Sequence, residues 1–313
     1  MCYLPEGLFQ LPAGITGKEV LEAVGTDRLF ASRAIMFDGR KVLHTKLCGL
    51  EVRIPYEECA QGLREGNVRE VAVVSRVGRP ICYVLTGRRE ENGRTVLCAS
   101  RTAAQEMCRA NYLDLLQPGD IIPCVVTHIE PFGAFCDVGC GISALLPIDS
   151  LSVSRIHSPE DRVQVGQQIF CAIKSRDQDG RFLLTLRELL GTWEENAAFF
   201  TPGTSVMGVV RTVEEYGVFV ELAPNLAGLA ELAPELVPGE LVSVYIKSIL
   251  PEKMKVKLAI LQQLGEQAKP GPLRYFLKEG HLDRWLYSPP GAKKQVETLF
   301  LPPEQERGGP QPG

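Results

Sequence analysis

"GDIIPCVVTHIEPFGAFCDVGCGISALLPI", residues 119–148, lies over "GTSVMGVVRTVEEYGVFVELAPNLAGLAEL", residues 203–232, when the chain is shifted by 84 positions. Val125/Val209, Val126/Val210, Glu130/Glu214, Gly133/Gly217, Phe135/Phe219 and Leu145/Leu229 are identical, and Phe132 falls on Tyr216. Register resumes where "GQQIFCAIKS" (166–175) meets "GELVSVYIKS" (239–248), now at a shift of 73, so the second copy is shorter by 11 residues. The whole deficit falls between the third and fourth β-like runs. Loops tolerate length changes that strands do not, so the copies share one strand framework.

In the first copy the runs fall near 121–129, 133–138, 142–148, 168–176 and 181–186. Alternation and β-branched content in "VVTHI", "GVFVEL" and "VSVYIKSI" predict strands. Five short strands in a compact unit suit a partly open barrel of the OB type. Between strands three and four of the first copy, "SPEDRV" (158–163) predicts a one-turn helix, with Ser158 as N-cap and Pro159 at the first helical position. Thr192 and Glu195 form a capping box that starts a linker helix over 191–202, ended by Pro202-Gly203.

Upstream, residues 1–16 read as a flexible leader and 17–100 as a β-rich region with runs at 41–47, 50–56, 68–75, 80–87 and 95–100. "ENGR" (91–94) is a hairpin turn signal, and "RTAAQEMCRANYLDLL" (101–116) a linker helix stopped by Pro118-Gly119. The expected organisation is therefore all-β with short helical linkers: a barrel over 117–190, a shorter one over 203–261, and an extension over 262–313. In that extension Trp285 and Tyr287 are expected to pack on the second barrel, while "EQERGGPQPG" at the end has the composition of a disordered tail.

The 313 residues carry a net charge of -4. That balance opposes nucleic-acid binding by bulk positive charge, yet leaves room for a local site built on stacking. Lys and Arg outnumber Asp and Glu in the N-terminal third, by 16 to 13 over residues 15–115, against 6 to 9 over 117–190 and 5 to 7 over 201–261. No apolar run approaches the ~20 residues that cross a bilayer, and a cytoplasmic protein is expected. The ten cysteines are scattered without a Cys-x-x-Cys. They read as reduced core thiols, with Cys136 and Cys140 the closest pair weighed as metal ligands. No Walker loop, dinucleotide fingerprint, Gly-x-Ser-x-Gly or His-Glu-x-x-His is present, so neither enzyme nor cofactor is expected.

The blocks "IEPFGAFCDVG" and "VEEYGVFVEL" resemble the S1 RNA-binding domain, and both copies do so end to end. The whole chain is similar to the short S1-domain proteins of Gram-positive bacteria. "GLEVRIPYEE" (49–58) is faintly similar to the family's third strand and following turn, as in a degenerate third copy. The resemblance implies single-stranded RNA, messenger RNA in translation, lying across strands two and three, and an association with the 30S ribosomal subunit. It implies stacking on Phe132 and Phe135 in the first copy, helped by Asp177 and Arg181, and on Tyr216 and Phe219 in the second. The family's strand-three His is Pro147 in the first copy and Glu231 in the second. In the second copy the acid position falls near Pro251 and the Arg position on Lys255. The first barrel is therefore expected to bind RNA better.

Lys174, Arg176 and Arg181 in one copy, and Lys247, Lys253, Lys255 and Lys257 in the other, are the nearby cations. Each reads either as a solvated outer face or as a phosphate contact. Phe132 and Phe135 read as core or as exposed rings. Three apart, they share a face only if the strand bends or bulges at Gly133. Arg155 and His157 are expected in solvent. A second function class, a protein–protein adaptor of the ribosome or the RNA-decay machinery, is open on the same residues.

Overall fold

The computed structural model describes residues 3–9, 14–177 and 180–301. The expected tail at 304–313 lies outside them. The chain divides into two compact units, Met1–Leu116 with Asp137–Ser143, and Gln117–Cys136 with Ala144–Gly313.

The first unit contains α1 (Gly17–Glu22), β1 (Leu29–Arg33), β2 (Met36–Phe37), β3 (Val42–Leu47), β4 (Leu50–Pro55), α2 (Val71–Val74), β5 (Pro80–Glu91), β6 (Arg94–Ser100) and α3 (Arg101–Asn111). Its six-stranded sheet runs β1-β5-β6-β4-β3-β2, and β4 lies parallel to β6. β5 and β6 meet through Asn92 and Gly93, both at positive φ, as the "ENGR" signal requires. Phe30, Leu43, Val52, Ile54, Ile81, Tyr83 and Leu97 fill its core.

Two expectations fail here. "VREVAVVS" is not a strand: Val71–Val74 form a helical turn with Val73 buried and Val71 and Val74 exposed. Among the described residues no strand pairs with it, so β-branched propensity is overridden. The leader is not loose over residues 3–9, because Glu6 is buried and accepts hydrogen bonds from Arg101 Nη2 at 2.6 Å and from the Cys82 backbone N–H at 2.9 Å.

The second unit holds both copies of the repeat. β7 (Ile121–Glu130), β8 (Gly133–Asp137), β9 (Ser143–Pro147), β10 (Gln168–Arg176) and β11 (Phe182–Thr185) form a closed barrel in the order β10-β11-β9-β8-β7. After α4 (Trp193–Ala197), β12 (Ser205–Glu214), β13 (Gly217–Ala223), β14 (Leu226–Ala230), β15 (Glu240–Leu250) and β16 (Lys255–Gln267) close a second. Each has one parallel contact, Leu183 beside Leu145 and Leu229 beside Lys257. β16 runs six residues past the expected end at 261 because it stays paired with β15 as far as Gln267 beside Glu240. β17 (Arg284–Leu286) and β18 (Glu297–Leu299) form a small hairpin in the extension.

The N-terminal sheet has the barrels' strand order once β1 and β2 are taken as one strand broken at Ala34-Ile35. β4 then holds the third position, parallel to the last strand, and a 3-10 turn over Tyr56–Glu58 follows it.

The eleven extra residues of the first copy have a structural use. Their loop, 148–167, carries the Ser158-capped turn and then Arg162, which is buried. Arg162 donates to both oxygens of Glu221 on β13, at 2.8 Å each, and Arg211 on β12 donates to the same carboxylate at 2.8 Å. Asn225, wholly buried, accepts from Val153 N–H at 3.0 Å and donates to the carbonyls of Arg187 and Gly191 at 2.7 Å each. The extension spans the same junction. Tyr275 Oη accepts from Phe170 N–H at 3.1 Å, and Tyr287 Oη donates to the Asn225 carbonyl at 2.7 Å. Trp285 and Tyr287 are buried in the same hydrophobic cluster as the second barrel's Val210, Val218 and Leu226, the packing expected of them.

Nine cysteines among the described residues are free thiols, seven of them buried. Burial pushes the Cys59 thiol up to about 12, as befits an inert core group. Among the described residues no cluster of His, Cys, Asp or Glu has the arrangement of a metal site.

Candidate nucleic-acid interface

Phe132 does not lie on a strand. Pro131 and Phe132 are the two-residue turn between β7 and β8, and Phe135 is the third residue of β8. The strand parity rule therefore does not bind the pair: the chain turns just before Gly133, where a bend or bulge was expected. In the second barrel Tyr216 likewise lies in the turn, Glu214 pairs regularly with Gly217, and the register shift falls on β12 between Val210 and Thr212. The glycines serve a different purpose. A Cβ on Gly133 would lie 2.5 Å from the Leu146 carbonyl oxygen, and one on Gly217 2.3 Å from that of Ala230. Only glycine lets strand three approach this closely beneath the ring.

Both aromatic pairs face outward. Phe132 is 55% exposed and Tyr216 68%, with Phe135 and Phe219 half-buried. The rings of Phe132 and Phe135 meet edge to face at 6.0 Å and 88°, and those of Tyr216 and Phe219 at 6.1 Å and 88°. Two independent copies thus build the same platform, one half-buried ring with a second standing against its edge.

Residues in register across the strands define what surrounds each platform. In the second barrel the outward row is Thr212, Phe219, Leu229 and Lys257. In the first the repeat gives His128, Phe135, Leu145 and Leu183, the last two paired directly. In the N-terminal sheet the same row is Met36, His44, Arg53 and Cys98. No aromatic pair stands there. His44 Nε2 lies 2.8 Å from Asp38, and Arg53 donates to Glu51 and Glu91 at 2.7 Å each. The His44 hydrogen bond holds the Asp38 carboxyl below its ordinary range, and the Arg53 hydrogen bond does the same for Glu51.

The remaining expected residues divide into two groups. Asp177 and Arg181 come together at the β10–β11 turn, where Arg181 N–H donates to Asp177 Oδ1 at 2.8 Å and Asp177 N–H to the Arg181 carbonyl at 2.8 Å. Lys174 is half-buried on β10, and Arg176 lies over the Phe182 ring at 4.5 Å. In the second barrel Lys255 and Lys257 are exposed on β16. Lys247 is bound to Glu231 at 2.5 Å, and that hydrogen bond lowers the Glu231 carboxyl. Arg155 and His157 are exposed as expected, although His157 Nε2 lies 2.9 Å from the Arg211 carbonyl.

One ring of the first platform was not among the expected site residues. His128 on β7, with its side chain 63% exposed, lies near-parallel to Phe135 at 6.2 Å and 24°. It reads only as an isolated histidine until β7 and β8 are paired.

The barrel that carries the first ring pair is also the part of the chain that resembles a known family. Residues 115–186 match the S1 RNA binding domain. The chain is 33% identical over 192 residues to the small ribosomal subunit protein bS1 of Staphylococcus haemolyticus and 34% identical over 192 residues to that of Staphylococcus aureus. Each alignment takes in 56% of this chain and 49% of the relative, so the chain spans about half the length of these relatives. Among solved structures, a multidomain protein with nucleic acid binding domains from Streptococcus pneumoniae aligns over 77% of this chain and 75% of its own, at 13% identity and a TM-score of 0.26. No helix among the described residues is long and apolar enough to cross a membrane.

Proposed function

We propose that the chain binds single-stranded RNA on the outer faces of its two barrels, as a component acting on messenger RNA at the small ribosomal subunit. The observation that carries this reading is the outward aromatic pair, present with the same geometry in both copies. A nucleobase has a flat π-face and two sides, so a half-buried ring with an exposed neighbour gives it a stacking partner whatever its sequence. Stacking needs no positive net charge, which reconciles a polyanionic ligand with a chain of net charge -4. The S1 match and the bS1 relatives favour RNA over a protein partner for these faces. The N-terminal sheet favours a separate role, because charged pairs occupy the row where the barrels carry rings.

The test is fluorescence anisotropy with a short unstructured RNA. Phe132→Ala with Phe135→Ala is expected to weaken binding about 5- to 150-fold for each stacked base lost. An affinity that does not move removes the reading. In the second barrel Glu231→Gln is expected to raise affinity, since it removes the carboxylate that engages Lys247. The logarithmic salt slope should steepen by about 0.7 for one added phosphate contact. A slope and affinity equal to those of the native chain would exclude Glu231 from any part in binding.

A further inference from the structure

The first platform has a third ring, and its origin differs from that of the other two. His128 comes from strand one, its ring near-parallel to Phe135 as the repeat of the Thr212–Phe219 pair would place it, and the Thr127 hydroxyl beside it donates to the Phe135 carbonyl at 3.1 Å. Its Nε2 lies 2.7 Å from Glu130 Oε1, two residues along the same strand. That contact holds an otherwise exposed imidazole in the orientation nearly parallel to Phe135. The second barrel keeps the acid, as Glu214, but has Thr212 in place of the histidine. Its platform therefore has two rings where the first has three. Strand three contributes no ring to either platform, because Pro147 and Glu231 stand at the position concerned.

Resting on the reading that RNA lies on these faces, we propose that His128 is a base-contacting residue, whose ring extends the Phe132–Phe135 platform to take a second nucleobase beside the one on Phe135. The physical argument is that a stacking surface is favourable only where a ring is exposed yet already oriented, so that little rotamer freedom is lost on binding. His128 meets both conditions: most of its side chain faces solvent, and Glu130 holds the ring. The difference between the two copies then sets how many bases each barrel takes. The first barrel, with three rings, becomes the tighter of the two.

The experiment uses the full chain with Tyr216→Ala and Phe219→Ala, so that the first barrel dominates. The probes are a fluorescein-labelled oligouridylate and the same backbone with abasic sites. His128→Thr, which installs the residue of the second copy, is expected to weaken the oligouridylate about fivefold or more and leave the abasic probe unchanged. His128→Phe should hold affinity near that of the parent, while His128→Lys should not. Thermal melting confirms that each variant is folded.

If His128→Thr binds as the parent does, or if His128→Lys restores binding and His128→Phe does not, the ring proposal is overturned. A charge contact to phosphate would replace it in the second case. These outcomes are separate from failure of the RNA reading itself, in which Phe132→Ala with Phe135→Ala leaves binding intact. Loss on removing the phenylalanines with no loss at His128 sinks only the present inference.

Discussion

Glu221→Ala is expected to destabilise the second unit by about 3–5 kcal/mol, measured as a lower chemical-denaturation midpoint. The carboxylate is shared by two buried guanidinium groups, accepting from both terminal nitrogens of Arg162 and from Nε and Nη2 of Arg211. Without it Arg162 keeps the Ser152 hydroxyl, and Arg211 keeps Asp161 at 3.5 Å. Two cations would then lie side by side in a medium that screens them poorly, and that residual charge is the greater part of the loss. Arg162→Met should cost less, since Arg211 still answers the carboxylate. A Glu221→Ala midpoint indistinguishable from the parent's would show that water reaches the cluster and that the loop does not grip the second barrel.

Glu6→Ala is expected to have an effect of the same size, about 3–5 kcal/mol, on the first unit. Arg101 is 2% exposed, and it meets Glu6 through Nη2 at 2.6 Å and Nε at 3.2 Å, with a further donation to the Cys59 carbonyl. Arg76 reaches the other carboxylate oxygen at 3.3 Å, and burial lowers its guanidinium from the ordinary arginine range against the pull of Glu6. Truncation strands Arg101 without its anion and leaves the Cys82 N–H without its acceptor. The check is thermal melting of Glu6→Ala beside Lys18→Ala, whose side chain is exposed and paired with Glu22. Equal melting temperatures for the two would refute the account.

The barrels were legible in the sequence because an internal repeat compares the chain with itself. Identity at Gly133/Gly217 and Phe135/Phe219 survives only if both copies use the positions alike, and the jump in shift located the loop between strands three and four. The use of that loop was not legible. Arg162 and Glu221 lie 59 positions apart, and a buried ion pair has no local pattern to show it. β1 and β2 were missed because "LFASR" and "MF" are too short to show alternation, and the strand they make is broken between them. "VREVAVVS" misled for the opposite reason, since it has strand composition without a strand to pair with. His128 illustrates a general limit. A residue's cross-strand neighbour is fixed by register, and register appears only once the sheet is formed.

The unequal loops also give the tandem a direction. The first copy reaches forward to hold the one that follows, while the second has only a short connection after Ala230 and cannot seize a successor in the same way. Instead the hairpin of β17 and β18 packs into its core region from downstream. A duplicated module would ordinarily permit its copies to be shuffled like beads on a string; here the two are not interchangeable, and exchanging their order would leave the grip with nothing to close on.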